Sequence, residues 1–123
     1  MSEERPLLAD GSVVESYEPL YKYWEAAKRR GIEEARITSE DLELVREIVE
    51  RGGKVSLYEL LETLAERMLE RVDEGAAAEA YASLGIELPR DLARKRIAEI
   101  LAGWAIEACQ TLNMVSIRGW RRG

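Results

Sequence analysis

The sequence predicts a mainly α domain of four or five helices with one short β element. Three observations carry this. Apolar residues recur every three or four positions through most of residues 17–112. Helix punctuation, hydroxyl or acidic caps before each run and glycines after it, divides that stretch. Finally, Met114-Val115-Ser116-Ile117 alternates and has two β-branched residues, as a short strand does.

The first helix spans residues 17–30. Ser16 precedes Pro19, which a first helical turn tolerates because its amides lack partners. Tyr17, Leu20, Trp24 and Ala27 recur at helical spacing. Lys28, Arg29 and Arg30 complement the dipole of the last turn, and Gly31 can adopt the left-handed stop. The second helix covers 40–51, with Thr38 and Ser39 as candidate caps and Leu42, Val45, Ile48 and Val49 as its apolar stripe.

A third helix starts where Ser56 and Glu59 form a capping box and Val55 and Leu60 a hydrophobic staple. Its face runs through Leu57, Leu60, Leu61, Leu64, Met68 and Val72. The pattern weakens at Asp73-Glu74-Gly75, resumes through Ala76–Leu84 and stops at Gly85, so it fits one long helix or two joined at Gly75. The last helix carries Leu92, Ile97, Ile100, Leu101, Trp104, Ala105, Ala108 and Leu112 on one stripe, with Asn113 as its cap. Gly103 beside Ala102 implies close approach of another helix. The strand at 114–117 needs a partner, and Lys54-Val55-Ser56 is the first choice, Ile37 the second.

The order helix, short strand, helix, helix, strand, basic turn over residues 39–123 resembles a winged-helix domain in topology, with no sequence motif behind it. The resemblance implies nucleic-acid binding through the last helix and the wing. The predicted organisation is an extended arm at 1–15, one helical domain at 16–117 and a basic tail at 118–123.

Composition narrows the chemistry. The 123 residues are 46% hydrophobic and 34% charged, enough for a core without disulfide or metal. Histidine is absent and Cys109 is the only cysteine, which excludes a His-dependent triad, a Cys–His pair, an ordinary zinc site and an internal disulfide. Arg outnumbers Lys 14 to 4, Asn and Gln occur once each, and Phe is missing. This archaeal-like composition fits a hyperthermophile protein, since ion pairs cost less to desolvate when hot. No apolar run approaches a membrane span, and the first residues lack a signal-peptide pattern, so a cytoplasmic location is expected. The net charge of −6 is uneven: residues 1–87 hold 11 basic and 21 acidic side chains (−10), residues 88–123 hold 7 and 3 (+4).

Two candidate surfaces follow. Arg90, Arg94, Lys95 and Arg96 open the last helix, and Arg118, Trp120, Arg121 and Arg122 combine cations with a stacking ring; both groups suit nucleic acid. Tyr17, Tyr21, Tyr23 and Trp24 cluster on the first helix, suiting a protein partner. Tyr21 and Tyr23 lie about 200° apart around the axis, so both cannot face one core. Leu44, Leu69 and Ile106 lie off the main stripes and favour burial in a homo-oligomer. Glu47-x-x-Glu50 and Glu70-x-x-Asp73 have the spacing of the metal motifs of all-α nucleotide pyrophosphohydrolases, though solvated helix faces explain them better. Cys109 reads as a buried structural thiol. The expected function is a non-catalytic, nucleic-acid-associated binding module; the alternative is an acidic homo-oligomeric interaction or assembly protein. No cofactor, metal or small-molecule substrate is inferred.

Overall fold

The computed structural model describes residues 16–52 and 57–111. Among them are five helices: α1 (Glu18–Arg29), α2 (Ser39–Gly52), α3 (Leu57–Leu69), α4 (Glu74–Ala82) and α5 (Arg90–Thr111).

Local chemistry sets the ends. Ser16 Oγ accepts the Glu18 amide at 3.0 Å, and Pro19 lies in the first turn of α1. Gly31, at φ 72°, reverses the chain after α1, and the Ile32 amide closes back on the Ala27 carbonyl at 2.8 Å. Thr38 is the cap of α2: its Oγ1 accepts the Asp41 amide at 3.3 Å, while Asp41 Oδ2 accepts the Thr38 amide at 2.7 Å. This is a capping box with aspartate in the acidic position.

The apolar run beyond residue 57 is two helices, and the break lies at 70–73 rather than at Gly75. Asp73 starts α4 by accepting the Ala76 amide on Oδ2 at 2.9 Å. Gly75 sits inside the first turn of α4, where a side chain would come within 2.6 Å of the Arg30 guanidinium. Arg30 and Arg29 reach across from the end of α1 to Glu79, whose pKa is lowered by their hydrogen bonds.

Helix α5 is the axis of the domain. It packs most extensively on α3, then on α4 and α2, and more lightly on α1, which itself lies along α4. The facing surfaces of α1 and α4 are small: Ala26 and Ala27 on one, Ala76, Ala77 and Ala80 on the other, all buried. Small side chains let helix axes approach closely without phenylalanine-sized fillers. In the middle of α5, Leu101, Ala102, Gly103, Ala105 and Ile106 are all buried, so apolar residues encircle the helix there.

Two expectations need correction, and a third lies outside the described residues. The described residues contain no strand, and the segment 114–117 with its first-choice partner 54–56 lies outside them. The winged-helix resemblance is not supported: the described residues are five helices with no strand, and α5, the helix that the resemblance offers to a groove, packs against each of the other four. Ile106 is buried by its own chain rather than reserved for a second one, and Leu44 and Leu69 are partly buried against the same core. No described helix is long and apolar enough to cross a membrane.

Candidate functional site

Tyr17, Tyr21 and Trp24 stand at i, i+4 and i+7 on α1, a spacing that aligns side chains along one helix face. Their rings form a ladder, with centroids 6.5 Å apart from Tyr17 to Tyr21 and 5.8 Å from Tyr21 to Trp24. Trp104 of α5 extends it, 5.4 Å from Trp24 and tilted by 59°. Tilted rings at these separations attract beyond their area burial.

The ladder is held from several sides. The Tyr17 hydroxyl donates to Glu107 of α5. Trp24 Nε1 donates to the Ala35 carbonyl at 2.7 Å. The guanidinium carbon of Arg36 lies 3.8 Å from the Trp24 ring centroid, a cation–π contact, and Arg36 is itself paired with Glu34 at 2.6 Å. Tyr17, Trp24 and Trp104 are half-buried, while Tyr21 is 54% exposed and forms the outer edge.

Tyr23 is not part of this surface. It is fully buried; its hydroxyl accepts the Asp73 amide at 2.9 Å across the α3–α4 link, and burial pushes its pKa up. The 200° separation from Tyr21 thus resolves as one ring in and one ring out.

The basic residues of α5 divide similarly. Arg94 is an internal cap of α3: its Nε and Nη2 donate to the Leu69 carbonyl at 3.1 and 2.8 Å, and its Nε to the Val72 carbonyl at 3.0 Å. Its charge therefore serves the end of α3, where carbonyls lack partners. Arg90, Lys95 and Arg96 are exposed. At about 100° per residue they point in three directions and make no common stripe. Arg118, Trp120, Arg121 and Arg122 lie outside the described residues.

A buried ionic node lies behind the ladder, and sequence reasoning missed it. Asp41 is completely buried at the start of α2. Its Oδ1 accepts from Arg67 Nε at 2.7 Å and Arg71 Nη2 at 2.8 Å; its Oδ2 accepts from Arg71 Nη1 at 2.7 Å. Burial pushes the Asp41 pKa up, but hydrogen bonds from Arg71, Arg67 and the Thr38 amide outweigh it and hold the carboxyl well below its ordinary range. Arg71 Nη1 also donates to the Arg36 carbonyl at 3.1 Å. The node thereby fixes the segment 32–38 that presents Ala35 and Arg36 to Trp24. The Thr-x-x-Asp spacing was a readable sign of a cap, but nothing in it foretold burial against two arginines.

A cleft of about 690 Å³ opens beside the node, lined by Glu33, Glu34, Arg36, Glu70, Arg71 and Asp73 among others. Arg71 is held by Asp41, Arg36 by Glu34, and Asp73 by the cap of α4. The acidic motif does not assemble: Glu47 and Glu50 are exposed on α2, and no group of three acidic or cysteine side chains suited to a metal ion occurs among the described residues. Cys109 is buried and donates to the Leu42 carbonyl at 3.4 Å; burial and the charge of Glu43 push its thiol up to about 11. It is placed as a structural thiol.

No protein-family model matches the chain, and no curated protein or solved structure matches it either.

Proposed function

We propose that the protein is a non-catalytic interaction module whose contact surface is the aromatic ladder of α1 together with Trp104. The observation that carries this reading is the ladder itself. Its rings are fixed by Glu107, Ala35 and Arg36, yet its outer ring, Tyr21, is left 54% exposed. Rigid aromatic side chains with polar handles lose little entropy on docking, and they dominate the centres of protein interfaces. The surroundings favour a protein over a nucleic acid, because residues 1–87 carry 21 acidic against 11 basic side chains and repel phosphates.

A second reading, nucleic-acid association through the start of α5, rests on the exposed Arg90, Lys95 and Arg96. Arg94, spent on the carbonyls of α3, adds little to it.

The test follows Trp emission in a Trp120→Leu background, so that Trp24 and Trp104 report alone. The protein is titrated with single- and double-stranded DNA at low and physiological salt. Indifference to both is expected. Quenching that weakens steeply with salt, and disappears when Arg90, Lys95 and Arg96 become Gln, would replace the first reading by the second.

A further inference from the structure

We infer that the partner of this surface is a second copy of the chain, docked with its α1 antiparallel to the first. The inference rests on the interaction reading above and adds the identity of the partner. Its basis is a stripe of charges beside the ladder.

Glu18, Lys22, Glu25 and Arg29 occupy positions i, i+4, i+7 and i+11 of α1. At about 100° per residue they fall within about 60° of one another, a single line along the helix. The spacings are four, three and four residues, symmetric about a point midway between Lys22 and Glu25. The signs are antisymmetric about that same point. A two-fold axis through it sets Glu18 of each copy against Arg29 of the other, and Lys22 against Glu25. Each residue meets its opposite, which is the self-complementarity that an isologous dimer requires.

The same spacing also suits ion pairs within one helix, but the side chains are mostly not arranged that way. Among the described residues Lys22 and Glu25 pair along this line only loosely, at 3.8 Å, Glu25 acts on Arg29 through its charge, and Arg29 bonds Glu79 of α4 while its side chain stays 58% exposed. Glu18, Glu25 and Arg29 are exposed, and the Lys22 side chain is 36% exposed, so the line faces outward. Tyr21 lies about 4 Å along the axis from the symmetry point, at 1.5 Å per residue. The most exposed ring of the ladder therefore falls near the centre of the paired helices, where exclusion of water gains most.

The experiment is sedimentation of the full chain over a wide concentration range, with charge-swapped variants whose helicity is checked by circular dichroism. The wild type should dimerise. Lys22→Glu places acids against Glu25, and Glu25→Lys places cations against Lys22, so each alone should weaken dimerisation about tenfold or more. An equimolar mixture should recover the dimer, because every contact then pairs opposite charges. A wild type that stays monomeric overturns the inference, as does a dimer that tolerates both swaps or a mixture no tighter than its parts. Tyr21→Ser separates the two claims: a dimer broken by the swaps but untouched by Tyr21→Ser keeps the second copy and removes the aromatic contact. A monomeric wild type leaves the interaction reading to the DNA titration.

Discussion

Asp41 is where a single residue weighs most. It satisfies a helix start, neutralises two arginines and is wholly removed from water. Asp41→Asn leaves Arg67 and Arg71 facing a neutral group, and the expected cost is about 3 kcal/mol at neutral pH. That figure is the lower end for a broken buried pair, because the Arg67 and Arg71 side chains are 38% and 25% exposed. The pH dependence has a defined sign. The folded-state pKa is depressed, so the unfolded chain binds a proton first, and the stabilisation is full above an ordinary aspartate pKa of about 4. It is lost as pH falls toward the folded value. Urea titrations between roughly pH 7 and 2 should show wild-type stability falling more steeply than that of Asp41→Asn. Parallel slopes would remove Asp41 from the acid sensitivity of the fold.

At the scale of elements, two glycines separate backbone demand from side-chain crowding. Gly31 has φ 72° and open space around it, so Gly31→Ala should cost about 1 kcal/mol from strain alone. Gly75 is helical, and a Cβ there crowds the Arg30 guanidinium at 2.6 Å and, more mildly, Asp73 Oδ2 at 3.3 Å. Gly75→Ala gains about 1 kcal/mol of helix propensity and loses up to about 1 from an exposed ion pair, leaving a net change near zero. Denaturant midpoints distinguish them: a large loss at Gly75 would mean that the Arg30–Glu79 contact, or the Asp73 cap of α4, does not give way to the added methyl. The legibility of the sequence followed the same division. The start and stop of α1 were readable, and the cap of α2 was narrowed to Thr38 or Ser39, because Pro19, Gly31 and Thr38 act through the nearest backbone. The break at 70–73 was not, since Arg94 and the Tyr23 hydroxyl, which stabilise it, arrive from distant parts of the chain. The same limit hid the ionic node and the meeting of Trp24 with Trp104. Periodicity predicted one stripe on α5, whereas Ala98, Ala102 and Ile106 are buried off that stripe because other helices surround it.

For the whole molecule, Cys109 is an internal reporter. Its thiol is buried between α5 and α2, with its pKa raised first by burial. Alkylation at mildly alkaline pH should be negligible in the native protein and should rise with denaturant in step with loss of helicity, because the group is reached only by opening the core. Rapid labelling without denaturant would show that the α2–α5 seam opens on its own. The central position of α5 also governs how the molecule is born. A chain emerging from the ribosome presents α1 to α4 first, and the extensive α3 and α4 packing must wait for α5. Until then only α1 against α4 and α2 against α3 can pair, with alanine-lined and leucine-lined faces still wet. The packing of the domain is therefore committed only once α5 has followed the other four helices, and a chain stalled before residue 90 would hold helices without a centre to gather on.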